Sequence, residues 1–359
     1  MDALTQSPRR RNAAQDARRR VTMTDVARAA GCSQATVSLV LNGVTGIKLS
    51  QALRDRVNMV AAELGYVLPP ATSRPGAAAT SGGTIAFVVD QMATSPEAIV
   101  AIEGARQASW DDGNVVVAAQ TLSDPQMEVR TLKALTGRGT IGVIYMAIFT
   151  RPVTVPPMLY DLDVPVVLLN CTSEDGAFAA VVPAEIKGGA TATKHLIAQG
   201  HRRIATITGE PWMDAARDRL AGHLQALTAA GIEHDPDLVV EGDWSASAGF
   251  DATVKLLALE ERPTAIFCQN DRMAIGCYEA LKEAGLSIPE DMSVVGYDDE
   301  EISRHLHPQL TTVILPHRQM GQWAVKALAG RKAAAPIPVT ALECSLVSRA
   351  SVAKPAAGS

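Results

Sequence analysis

The chain has 359 residues, enough for two or three domains, and its 47% hydrophobic and 20% charged residues are ordinary for a soluble globular protein. No apolar run reaches the roughly 18 residues of a membrane span, and the arginine-rich start lacks the apolar stretch of a signal peptide. Five scattered cysteines without CxxC spacing exclude a zinc site or a disulfide framework, and a reducing cytoplasm is the expected compartment. The net charge of −5 is uneven: residues 1–68 hold ten Arg and Lys against five Asp and Glu, a basic head on an acidic body. That polarity suits a protein that holds DNA by one end.

Residues 1–20 are polar, Arg-rich and aperiodic, and read as a disordered arm. Two readings fit it: a source of non-specific DNA affinity, or a solvated tail. Thr22 to Asn42 then reads as two short helices joined by a tight turn. Thr24 is the expected cap of the first, Asp25 lies in its first turn, and Val26, Ala29 and Ala30 form its apolar face. Gly31 stops it by taking positive φ. Ser33 caps the second helix, whose inward residues are Val37, Val40 and Leu41. Its outward residues, Gln34, Ala35, Ser38, Leu39 and Asn42, include no acid, which suits a groove walled by phosphates and floored by base edges. An ordinary helical hairpin is the alternative on pattern alone. Ser50 caps a third helix with Leu53, Val57, Ala61 and Leu64 at helical spacing. Residues 69–83 are rich in Pro, Gly, Ala and Ser, as in a linker.

From Thr84 the pattern becomes βα. Buried parallel strands are expected at Ile85–Val89, Val115–Ala119, Ile141–Met146 and Val164–Leu169, with helices near 95–112 and 124–137. A second set has strands at Ile204–Thr208, Leu238–Glu241, Ala265–Cys268 and Ser293–Tyr297. Its helices fall near 185–199, 214–230, 246–258 and 272–284. Two such sets make two doubly wound halves. A strand near 311–315, a helix at 317–329 and a strand near 339–347 cross back between them.

Two groups of motifs carry a resemblance. The first is TDVARAAGCSQATVSLVLN, running on to Ala61-Ala62-Glu63-Leu64-Gly65-Tyr66. The second includes Gly200-His201-Arg202-Arg203-Ile204, Asn270-Asp271, Val295-Gly296-Tyr297-Asp298-Asp299 and Leu346-Val347-Ser348-Arg349, in order. Over about residues 21–353 the chain resembles the LacI family of bacterial regulators. The resemblance implies a small all-α helix-turn-helix headpiece joined to an α/β two-lobed, doubly wound parallel-sheet domain of the periplasmic-binding-protein-like kind. The expected division is an arm at 1–20, headpiece at 21–68, hinge or linker at 69–83, a two-lobed effector-binding and dimerisation domain at 84–354, and a tail at 355–359. The N-lobe is expected at about 84–183 and 316–335, the C-lobe at about 184–315 and 336–354.

The resemblance also implies contacts to double-stranded operator DNA. Ser33 and Thr36 fall where backbone contacts are expected, Gln34, Ala35 and Leu39 where bases are read, and Asn42 at the helix end, with Thr24 and Ser38 on the same surface. Leu39 departs from the family, since it can touch a thymine methyl but cannot pair with guanine. The loop from Gly43 to Leu49 is about two residues longer than usual. In the family the linker forms a hinge helix that inserts a leucine into the minor groove. Here Pro75 holds that position, followed by Gly76, and proline inside a helix costs roughly 3 kcal/mol. One headpiece reads few base pairs, so a homodimer on a near-palindrome is expected.

In open α/β sheets ligands sit beyond the carboxyl ends of the strands. Asp90, Asn170, Asn270 and Asp298 follow strands there, and Arg219 lies on the helix after Ile204–Thr208. Each reads either as a ligand for sugar hydroxyls or base edges, or as a cap or turn former. Trp244 alone reads as core; with the resemblance it becomes a stacking surface for a sugar-like effector. Ala184 and Leu315 depart from the family's polar residues. No catalytic motif is present, so no enzyme, cofactor or metal is expected. The run Asp298-Asp299-Glu300-Glu301 reads as a cation site or as a solvated loop start, and His305 and His307 as loop histidines. The rival function is a sugar-binding protein without a regulatory role, a class that carries a signal peptide and no headpiece.

Overall fold

The computed structural model describes residues 21–41, 49–64, 66, 82–93, 96–137, 139–329 and 339–355. The chain divides into two units, Met1–Thr80 and Ser81–Ser359. The first holds three helices, α1 (Met23–Ala30), α2 (Gln34–Leu41) and α3 (Gln51–Glu63). The cap of α1 is Thr22, not Thr24. Its hydroxyl accepts from the Asp25 N–H at 3.3 Å, and the Asp25 carboxylate accepts from the Thr22 N–H at 3.0 Å. This reciprocal box satisfies two helix-end donors, which a cap at Thr24 would leave open. Gly31 takes φ 65° and closes the turn. Ser33 accepts from the Thr36 N–H at 3.1 Å, as expected of a cap.

The headpiece core is Val26, Ala27, Ala30, Val37, Val40, Val57, Val60 and Ala61. Ala27 and Val60 replace the expected Ala29, which is exposed, and Leu64, which is 38% exposed. The buried stripe of α1 runs through Val26, Ala27 and Ala30, which leaves Ala29 on the outer side. Asn42, the loop after it and Pro75 lie outside the described residues.

The second unit is two parallel sheets flanked by helices. In chain order its elements begin with β1 (Thr84–Val89), α4 (Glu97–Trp110), β2 (Val115–Gln120), α5 (Pro125–Leu135), β3 (Thr140–Val153), β4 (Val166–Ser173) and β5 (Ala179–Pro183). Then come α6 (Glu185–Ala198), β6 (Ile204–Thr208), α7 (Asp214–Ala229), β7 (Val239–Glu241), α8 (Ala246–Leu257), β8 (Ala265–Cys268), α9 (Asp271–Glu283) and β9 (Ser293–Asp298). The chain continues through β10 (Thr311–Ile314), α10 (His317–Ala329), β11 (Val339–Leu342) and β12 (Leu346–Val347). The first sheet runs β11-β5-β4-β3-β1-β2 and the second β12-β10-β9-β8-β6-β7, with β12 alone antiparallel. In both, the order reverses beside the first strand of the half, which opens a crevice at the carboxyl ends.

Apolar runs build the sheet centres. Phe87, Ile144 and Leu169 are buried on one face of the first sheet, and Ile207, Ile266 and Val294 in the second. Burying each such side chain stabilises by about 1.5–3 kcal/mol. Helices α6 and α7 approach so closely that a Cβ on Gly189 would run into the Arg219 carbonyl, and one on Gly222 into the Ile186 carbonyl.

Four expectations change. β2 is an edge strand with Val115 59% exposed, since its outer side has no neighbour. β3 runs on to Val153, past the expected end at Met146. β5 was not foreseen. The expected strand at 339–347 splits, and β11 pairs with β5 in the first sheet, so residues 339–342 belong to the N-lobe, not the C-lobe. Among the described residues the chain therefore passes between sheets three times, from β5 into α6, from β10 into α10, and from β11 into β12.

Candidate functional site

On the headpiece, Thr24, Ser33, Gln34 and Ala35 are exposed, while Thr36, Ser38 and Leu39 are half-buried. Ser33 and Thr36 share a 2.8 Å hydroxyl contact at the start of α2. The N-terminus of α2 thus presents hydroxyls and a side-chain amide, the chemistry that meets phosphate and base edges.

In the second unit a cavity of about 430 Å³ opens between the two sheets. Asn170, Arg219, Trp244, Asn270 and Asp298 all line it, and Asp90 does not. Asp90 instead holds β3: its carboxylate accepts from the Ile148 N–H at 2.8 Å and pairs with Arg151 at 3.1 Å. Sequence position after β1 placed it correctly, but the extension of β3 covers it.

Three of the lining residues have left-handed backbone, Asn170 at φ 58°, Trp244 at 69° and Asp298 at 107°. Such conformations are uncommon outside glycine and gather at functional sites. The polar groups are mostly engaged within the protein. Asn170 donates to the Ala147 and Ile148 carbonyls at 3.0 and 2.9 Å and accepts from Thr150 at 2.7 Å. Asn270 caps α9 through the Met273 N–H at 2.8 Å and donates to the Trp244 carbonyl at 2.9 Å. For Asn270 the cap and lining readings hold together, whereas Asn170 lines the cavity from within β4 and ties down the Ala147 and Ile148 carbonyls.

The floor of the cleft is built at the sheet crossings. Glu185, at the first crossing, takes a two-pronged contact from Arg219 at 2.9 Å on each side and accepts from the Tyr297 hydroxyl at 2.7 Å. Arg219 also donates to the Gln269 carbonyl at 2.5 Å, pairs with Asp298 at 3.4 Å and lies 3.7 Å over the Tyr297 ring. Burial opposes its charge, yet Glu185, Tyr297 and Asp298 hold its pKa above the usual value. Asp298 is raised well above the usual carboxylate range, first by burial and then against the pull of Arg219 by neighbouring carboxylates. His317, at the second crossing, is 2% exposed, and burial together with Arg219 pushes its pKa down to about 3. Phe149 and Trp212 meet edge-to-face across the cleft at 6.3 Å, and Trp212 is 61% exposed at its lip.

Glu185, His317, Glu97, Phe149 and Trp212 were not named from the sequence. The first two sit beside Ala184 and Leu315, whose departures from the family were visible. Leu315 itself lines the cavity.

Residues 22–68 match the model of bacterial regulatory proteins of the lacI family, and residues 193–352 match a periplasmic binding protein-like domain. The ribose operon repressor of Escherichia coli K12 is 34% identical over 310 residues, covering 86% of this chain and 92% of the relative. The chain belongs to the lacI family of bacterial regulatory proteins. Among solved LacI-family structures, a complex of the transcriptional regulator CelR with cellobiose is 33% identical with a TM-score of 0.63, covering 92% of this chain and 100% of that one. The lac repressor dimer bound to operator and the anti-inducer ONPF is 30% identical with a TM-score of 0.63, covering 93% and 100%. The headpiece and the two-sheet unit are accordingly those of a LacI-family transcriptional regulator, and the curated relatives are repressors. Among the described residues no helix is long and apolar enough to cross a membrane.

Proposed function

We propose that this regulator represses transcription as a cytoplasmic homodimer on a near-palindromic operator, and that a small, sugar-like effector in the cleft sets its operator affinity. The observation that carries the reading is the cleft floor. Glu185 and His317 come from two separate sheet crossings and both face the cavity. A ligand there touches the segments about which the lobes would turn, so it can favour one lobe arrangement over another. Trp244, with Phe149 and Trp212, offers ring faces to a sugar, and Asn170, Asn270, Arg219 and Asp298 offer polar edges. Relatives named for ribose and complexed with cellobiose support a sugar-like effector.

On the DNA side, Gln34, Ala35 and Leu39 read bases while Thr24, Ser33, Thr36, Ser38 and Asn42 hold the backbone. Two headpieces are needed for useful specificity, and a relative solved as an operator-bound dimer supports the homodimer. The test is fluorescence anisotropy on the chain's own promoter region, titrated with ribose, cellobiose and related sugars, alongside sedimentation. Specific retention that responds to one such ligand, by a dimeric species, is expected. A monomer that binds no DNA at low salt would overturn it.

A further inference from the structure

Six carboxylates line the cleft, those of Glu97, Glu185, Glu210, Asp243, Asp298 and Glu300, against the guanidiniums of Arg219 and Arg272. Arg219 is committed to Glu185 and Asp298, and Arg272 contacts Glu300 at 3.0 Å. Glu97 is left over: its Oε2 is shut off from solvent and has no hydrogen-bond partner among the described residues. Glu97, Asp298 and Glu300 each bring an oxygen within 4.8 Å of the other two. Three carboxylates that close disfavour one another's charge unless a cation stands between them.

A second, separate observation points the same way. His317 is 2% exposed, lines the same cavity, and has no partner on either ring nitrogen among the described residues. Kept neutral by burial and by Arg219, its imidazole offers one lone pair and one N–H. Buried polar atoms without partners are rare in native proteins and mark a missing ligand or water. A cation between the three carboxylates would relieve their mutual repulsion, and His317 offers one further acceptor or donor in the same cavity.

We propose that the effector carries a protonated amine, seated among Glu97, Asp298 and Glu300, with its ring against Trp244. This deepens the effector reading of the cleft and rests on it. An ammonium brings three donors and one positive charge. A neutral hydroxyl would satisfy an acceptor but leave the excess charge. A bare divalent ion would sit beside two guanidiniums already paired to Asp298 and Glu300, whereas a single charge matches Glu97, the one of the three clustered carboxylates without an ion-pair partner among the described residues.

The test uses the full chain and matched probes in calorimetry: D-glucosamine against D-glucose and N-acetyl-D-glucosamine, D-galactosamine against D-galactose, and Mg²⁺ and Ca²⁺ alone. At least one amine should bind tenfold or more tightly than its neutral counterparts, and E97Q should lose that preference. E300Q, with folding verified by circular dichroism, serves if E97Q does not fold. Neutral sugars binding as well as amines, no amine binding at all, or a preference unchanged in both variants would overturn the proposal. So would metal binding that takes the place of amine binding. Operator anisotropy in the same samples separates the two readings: a neutral sugar that shifts operator affinity sinks the amine and leaves the effector cleft standing.

Discussion

Glu185 and Arg219 meet in a two-pronged contact with both distances at 2.9 Å, one residue from a sheet crossing and the other from the helix after β6. Their side chains are 2% and 5% exposed. The pair fastens the crossing to the second lobe. Removing one member of a buried pair strands the other, at a cost of roughly 3–5 kcal/mol. Arg219→Ala should therefore lower stability by about that much in urea unfolding, because both Glu185 and Asp298 lose their partner. Replacing the pair together, Arg219→Met with Glu185→Leu, should recover part of the loss. Equal stability of Arg219→Ala and the parent would show that the contact carries nothing.

On the headpiece, Gln34 is exposed at the start of α2, where it can form a two-pronged contact to adenine. Gln34→Ala should cost about 1–3 kcal/mol at one base-pair position per half-site and relax specificity there. Leu39→Ala should reduce only the discrimination for thymine over cytosine. Anisotropy on operators with single substitutions reads both. A uniform loss across all sequences would mean that these side chains only touch phosphate.

Much of this was legible in the sequence because the physical signal was local. The strands at Ile204–Thr208 and Ala265–Cys268 were read to the residue, since buried apolar runs between turn formers have few alternatives. The cap at Thr22 was also there to be read, since Thr22 and Asp25 have the spacing of a capping box. Three features were not legible. The exposure of Val115 depends on β2 having no outer neighbour, which periodicity cannot show. The split of 339–347 between two sheets depends on pairing with β5, a strand of five residues beside a crossing. The roles of Glu185 and His317 arise only where separate crossings converge; in sequence each is merely the first residue of a helix.

Two buried histidines set an acid limit. His223, bonded to Thr193 at 2.8 Å, is pushed down to about 4 by burial and by His234, and His317 to about 3. Both are held neutral in the fold, while the unfolded chain takes protons near the ordinary value of 6.5. Between these values the unfolded state binds more protons, so stability rises with pH. Their contribution is fully present above about 6.5 and is lost as pH falls towards 4 and then 3. Thermal melts from pH 7 to 4 should show a shallower decline for His223→Gln/His317→Gln than for the parent. Parallel declines would mean that neither ring is held neutral.

The resemblance to the family implies a hinge helix around Pro75, where a proline would cost a helical hydrogen bond. Operator bending should therefore be small, tolerance for half-site spacing broad, and salt dependence steep. A circular-permutation gel shift checks this. A strong central bend that disappears on mutating Arg74 would show that the linker still inserts into the minor groove.

Operator anisotropy at fixed salt, with and without a ligand shown by calorimetry to occupy the cleft, tests the coupling of cleft to headpiece most directly. The account expects operator affinity to change by about 5- to 150-fold, the span of coupling free energies of 1–3 kcal/mol, and Trp244→Ala to abolish the change through loss of ligand binding. A ligand that fills the cleft while operator affinity stays constant would contradict it.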